Sequence, residues 1–258
     1  MSALSARSIV ASTLLGTQPP QLPGRLLVAF AEEFGVNPGT TRVALSRMVE
    51  RGELLRDPQG GYALSGALLE RQQRQEEGLA PRTRSWSGAW EMWVVRGGAR
   101  RSGDRAALRT AATHLGLRER REGVWLRPDN LAADRLPAAR TIVADQSERF
   151  VATPEGDPAA LAVELFALDD WARGAARHLT RMVSMEAALE ADEPGSLAEG
   201  FTVAADALRH LVSDPLLPDA LCPSDWPAAE LRVAYDRFNR AYRLRLSAFF
   251  RSRSRLAG

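Results

Sequence analysis

Apolar positions recur at helical spacing through the first fifty residues. Ile9, Val10, Thr13 and Leu14 share one face of a helix predicted over residues 5–15, with Gly16 as its stop. A Pro-rich connector, PPQLP, follows. Leu26, Leu27, Phe30, Ala31 and Phe34 give a second helix over residues 24–34, and Gly35-Val36 makes a tight turn. Asn37 is a good N-cap and Pro38 suits the first helical position of a third helix, which Gly52 ends. Its inward face is Thr41, Ala44, Leu45, Met48 and Val49. ELLR and YALS then read as two strands around the turn DPQGG. Three helices and a hairpin outline a winged helix-turn-helix whose third helix would be the recognition helix.

The texture changes after a polar helix or linker at residues 66–84. Residues 90–96 (WEMWVVR) alternate as a strand, 102–115 read as a helix, and 117–127 as a hairpin around Glu122-Gly123. A short helix at 129–136 and a strand at 141–145 (TIVAD) complete the order βαββαβ, that of a ferredoxin-like domain with an open sheet face and free edges. Beyond it the pattern is helical. Asp157-Pro158 starts one helix running through LAVELFALDDWARGAARHLTRMV. Ser196 and Glu199 form an S-x-x-E capping box for another near 197–212. A Pro-punctuated stretch leads to a final helix from Pro227 to about Arg251. The predicted class is α+β in three parts: residues 1–84, a winged helix with a linker helix; 85–153, ferredoxin-like; and 154–258, α-helical.

Charge sharpens this picture. The 258 residues carry a net charge of +2, and every basic residue is arginine. Residues 1–84 carry +2, 85–153 carry +4, 154–230 carry −11 and 231–258 carry +7. Basic ends and a basic middle suit an anionic partner, although arginine abundance also follows from genomic composition. On the third helix the outward residues are Asn37, Thr40, Arg42, Val43, Ser46 and Arg47. These are short hydrogen-bonding groups plus two guanidiniums able to read guanine or clamp phosphate. Arg25 at the start of the second helix is placed for a phosphate contact. The same face would also serve as an ordinary solvated one.

No apolar run is long enough to span a membrane and the N-terminus lacks the pattern of a secretory signal, so a cytoplasmic protein is expected. The lone Cys222 excludes an internal disulfide. His114, His178 and His210 stand apart, with no metal-ligand spacing, P-loop or G-x-G-x-x-G motif. No cofactor, metal or catalytic residue is therefore expected.

Several motifs carry a resemblance. FGVNPGTTRVALSRMVERGEL, WSGAWEMWVV (Trp86, Gly88, Trp90), GVWLRP (Gly123, Val124, Trp125, Pro128) and DPLLPDALCPSDWP (Asp214, Pro215, Leu217, Pro218, Leu221, Pro223, Trp226, Pro227) are similar to segments of the PaaX family of bacterial repressors. The resemblance spans nearly the whole chain. It implies a winged helix, a Cas2-like middle domain of ferredoxin-like fold, and a helical C-terminal domain. It also implies a dimeric repressor on an inverted-repeat operator, released by an acyl-CoA such as phenylacetyl-CoA. The wing departs from the family pattern, since Arg56 is nearly its only basic residue. Ala228-Ala229 stand where a glycine often follows Trp-Pro.

A CoA ester needs guanidiniums for its phosphates and an apolar slot for its acyl group. The middle segment offers Arg96, Arg100, Arg101, Arg120 and Arg127 with Trp90, Trp93 and Trp125. These arginines could equally contact the acidic segment, and the tryptophans could be core. Two other classes stay open: an interaction scaffold without specific DNA binding, and an enzyme acting on acyl-CoA. The second lacks a nucleophile motif. A Cas2-like nuclease would want an acid after its first strand, where this chain has Arg96.

Overall fold

The computed structural model describes residues 4–98 and 100–255. In chain order the elements begin with α1 (Ala6–Leu15), β1 (Gln21–Pro23), α2 (Gly24–Glu32), α3 (Pro38–Glu50), β2 (Leu54–Arg56), β3 (Gly61–Leu64) and α4 (Ala67–Leu79). Next come β4 (Trp90–Val95), α5 (Ser102–His114), β5 (Arg118–Arg121), β6 (Val124–Pro128), α6 (Pro137–Gln146) and β7 (Ser147–Ala152). The rest is α7 (Pro158–Phe166), α8 (Leu168–Glu190), α9 (Ser196–Val212), a 3-10 turn at Asp219–Leu221, and α10 (Ala228–Arg255). The fold is α+β. No described helix is long and apolar enough to cross a membrane.

The chain divides into two compact units, each discontinuous in sequence. One comprises Met1–Gln75, Arg177–Arg209 and Glu230–Gly258; the other comprises Glu76–Ala176 and His210–Ala229.

In the first unit, α1, α2 and α3 close over a core that includes Val10, Leu14, Leu27, Leu45, Met48 and Leu54. The small antiparallel sheet has the order β1-β3-β2, with Leu22 opposite Tyr62 and Leu54 opposite Leu64. β1 lies within the stretch expected to be a connector. Prolines mask it, and an edge strand tolerates them because its outer side needs no ladder donors. A second apolar centre joins Phe30 and Phe34 to Phe201 of α9 and to Phe249 and Phe250 of α10. Phe30 lies 5.3–6.0 Å from the other four ring centroids, all edge-on. α9 does not begin with the expected capping box. Ser196 is its first residue and its buried hydroxyl makes no hydrogen bond among the described residues, while the Glu199 amide donates to the Gly195 carbonyl.

In the second unit the four strands stand in the order β5-β6-β4-β7, all antiparallel, with Trp93 opposite Trp125. One face packs on α5 and α6 through Trp93, Trp125, Leu108, Leu115 and Val143. On the other, Trp90 packs with Phe166, Leu168, Leu217 and Leu221, so that face is partly covered.

Three expectations need correction here. Residues 129–136 are not a helix, and 141–145 are not a strand but the body of α6. The β-branched run Thr-Ile-Val favours a strand, but Pro137 opens a helix, the Thr141 hydroxyl donates to the Pro137 carbonyl, and Val143 turns into the core. The last strand is β7, whose SERFVA hides its identity because residues 148–151 are all exposed on an edge. The single helix expected after Pro158 is two. Ala167 adopts a left-handed conformation (φ 45°), so Phe166 and Leu168 both enter the Trp90 cluster.

Candidate nucleic-acid interface and effector residues

Local chemistry fixes α3 before any packing does. The Asn37 side-chain carbonyl accepts from the Gly39 amide at 2.8 Å, Pro38 takes the first turn, and Gly35 supplies the positive φ (71°) of the preceding turn. Thr41, Leu45 and Met48 then point inward, leaving Thr40, Arg42, Val43, Ser46 and Arg47 exposed. Val43 is 51% exposed, high for an apolar residue on a helix whose other face is core. The Ser46 hydroxyl donates to the Arg42 carbonyl. Arg25 is exposed at the second position of α2.

The β2–β3 turn is built by Asp57. Its carboxylate accepts from the Gly61 amide at 2.7 Å and from the Gln21 side chain at 2.8 Å. The Gly61 hydrogen bond, aided by Gln21, holds its pKa below the ordinary value. Arg56 lies exposed beside it, its guanidinium 5.9 Å from the centre of the Tyr62 ring. Arg7 clamps α1 to the start of β2 through the Glu53 carboxylate at 2.8–3.2 Å. Among the described residues, Arg25, Arg42, Arg47 and Arg56 make no ion pair. Of the eight residues expected to contact DNA, all are exposed; Asn37 is also committed to its cap.

The expected effector residues disperse. Arg127 is fully buried on β6. It donates to the carbonyls of Leu115 (2.6 Å) and Pro128 (3.0 Å), to the Asn130 side chain (2.9 Å), and more distantly to Pro215 and Leu216. Gly116 leaves room for it: a Cβ there would collide with the guanidinium. The buried Glu91 lies 3.7 Å from Arg127, 3.4 Å from Arg149 and 3.9 Å from Arg140, and accepts from the Trp93 indole at 3.1 Å. Asn130 also donates to the Leu216 carbonyl at 2.8 Å, and the Leu216 amide donates to Asp214. The Asp-Pro-x-Leu-Pro stretch is thus held to the sheet by its own carbonyls. Arg127 is a structural anchor, and nothing in its surroundings leaves it open to a ligand.

Trp90 is 1% exposed on the sheet face opposite Trp93 and Trp125. Arg96 donates to the Asp145 carbonyl at 2.9 Å, Arg120 pairs with Glu164, and Arg101 is exposed at the start of α5. Arg100 and Trp125 of the set line one pocket, between α5 and the β5–β6 hairpin. Arg105 and Arg109 line it as well and were not among the expected residues. Their i, i+4 spacing on one helix face was the available signal.

A family model described as PaaX-like protein matches residues 5–68, and one described as PaaX-like protein C-terminal domain matches residues 166–252. Among solved structures the chain is similar to the uncharacterized protein Rv0674 from Mycobacterium tuberculosis. The two are 42% identical, with 95% of this chain and 98% of that chain covered and a TM-score of 0.70. No curated protein matches the sequence. Two family models at opposite ends, and a relative aligned almost end to end, place the chain in the PaaX-like family, a family of transcription regulators.

Proposed function

We propose that the chain is a DNA-binding transcriptional repressor, working as a cytoplasmic homodimer on an inverted-repeat operator. The observation that carries this reading is the outward face of α3: Thr40, Arg42, Val43, Ser46 and Arg47 exposed together, with both guanidiniums free of ion pairs among the described residues. In this reading α1–α3 and the β2–β3 hairpin are a winged helix-turn-helix, and α3 enters the major groove. Arg25 touches the backbone, and the hairpin adds little beyond Arg56. The strand order, with β4 between β6 and β7, supports a ferredoxin-like, Cas2-like middle domain. An acyl-CoA ester is the proposed releasing ligand, with Arg100 and Trp125 as the part of the expected site that shares a pocket. Release requires that the ligand favour one conformation over the DNA-bound one.

Fluorescence anisotropy with a duplex from the protein's own upstream region tests the DNA reading. Arg42→Ala is expected to cost roughly 1–3 kcal/mol and relax sequence preference, and Arg47→Ala to weaken all sequences alike with a shallower salt dependence. If neither changes affinity at near-physiological salt, α3 is not the reading helix.

A further inference from the structure

The pocket between α5 and the β5–β6 hairpin has a volume of about 400 Å³, within the usual size range for a small-molecule site. Its apolar lining includes Val95, Leu108 and Trp125, and Arg100, Arg105 and Arg109 line it as well. Their partners are unequal. Arg109 lies 3.8 Å from Glu119, whose other carboxylate oxygen accepts from the Gly123 amide. Arg105 donates to the Arg100 carbonyl at 2.7 Å, which ties the two residues together without neutralising either. Arg100 has one guanidinium nitrogen withdrawn from solvent and without a hydrogen bond among the described residues. A desolvated cationic donor left unmade is unfavourable, and an anion relieves it. Glu122 is the second acid on the lining. It is exposed and makes no ion pair with these arginines among the described residues.

We propose that this pocket binds a small aryl carboxylate or aryl phosphate, its anionic group on Arg100 and Arg105 and its ring against Leu108 and Trp125. The ligand is either a free aromatic acid or an anionic, ring-bearing part of a larger metabolite. For its consequence on DNA the proposal rests on the regulator reading above; for occupancy it does not.

Calorimetric titration of the full chain, without DNA, separates the two. Benzoate and phenyl phosphate are the probes, with inorganic phosphate and neutral benzamide as comparisons. Saturable binding of benzoate or phenyl phosphate is expected, with benzamide at least about tenfold weaker because it lacks the charge. Arg100→Gln is expected to weaken the better probe by about tenfold or more, while Arg121→Gln, exposed and outside the lining, changes it less than about twofold. Ala106→Trp, from an exposed position on the lining, should fill the pocket and abolish binding. Tighter binding of phenyl phosphate than benzoate would point to a phosphate-bearing metabolite, and the reverse to a free acid. The proposal is overturned if neither aryl anion binds saturably, if benzamide binds as well as benzoate, or if Arg100→Gln behaves as wild type. A chain that binds the probes but no operator would keep the pocket and sink the regulator. One that binds operator and ignores the probes would do the opposite.

Discussion

Cys222 lies half-buried in the Pro-rich stretch before α10, where burial, reinforced by the carboxylates of Asp214 and Asp219, pushes its thiol pKa up to about 12. Only about one thiol in ten thousand is then ionised at pH 8, and the thiolate is the nucleophile. A disulfide reagent at that pH should label the native chain at least about a hundredfold more slowly than the chain in urea. Equal rates would place the thiol in open solvent. Trp171 lies between His210 and Trp226, stacked on each at 4.6 Å, and His210 Nε2 is 2.9 Å from the Trp171 carbonyl. Gly174 makes room for this stack, because a Cβ there would run into the His210 ring. Gly174→Ala is expected to destabilise the chain by about 1–3 kcal/mol in urea titration, an overpacking cost. Nothing in the sequence marks Gly174 as special. It sits mid-helix, and the three rings it accommodates come from positions up to 55 residues apart in the numbering.

At the level of elements, α3 was legible because its cap, its first-turn proline and its inward stripe are all local signals. β7 was not, since its neighbours along the chain carry the stronger β-propensity while its own place is set by pairing with β4. Tertiary pairing overrides propensity at sheet edges. The Glu91–Arg127 pairing has the same origin: the two face each other across β4 and β6, 36 positions apart. Nearby, Asp129 is held by Arg84 at 2.5 Å and Arg149 at 3.1 Å. Burial alone would raise its pKa, but the two guanidiniums more than offset this and hold it below the ordinary 3.8. The folded state then binds fewer protons than the unfolded one near that value. The contribution is present above about pH 4 and is lost as pH falls through the folded pKa. Both arginines are well exposed, so it is worth at most about 1 kcal/mol. Urea midpoints measured from pH 6 down to pH 3 should fall, and Asp129→Asn should flatten part of that fall. An unchanged acid limb would mean that Asp129 titrates alike in both states.

On the scale of the molecule, sequence order lays out a head, a middle segment and a helical tail, and the charge pattern follows that order. Compaction follows what packs together instead. Phe30 is fully buried, yet the rings that surround it include Phe201 and Phe249, 171 and 219 positions further on. Helical spacing puts Phe30 and Phe249 each on an apolar stripe, but periodicity says nothing about which distant stripe a residue meets. The unit bearing α3 therefore draws part of its core from both ends of the chain. Phe30→Ala in the full chain is expected to cost about 3–5 kcal/mol by loss of buried area and cavity formation. A fragment of residues 1–84 leaves Phe30 and Phe34 without α9 and α10. It should bind a hydrophobic dye that the full chain ignores, and unfold at lower urea. If α3 reads DNA, the fragment should also hold its duplex more weakly at equal salt, because its reading helix rests on a less stable support. A fragment that matches the full chain in dye binding and urea midpoint would show that the head needs no aromatic partner from the C-terminal helices, and that α1–α3 with their small sheet suffice.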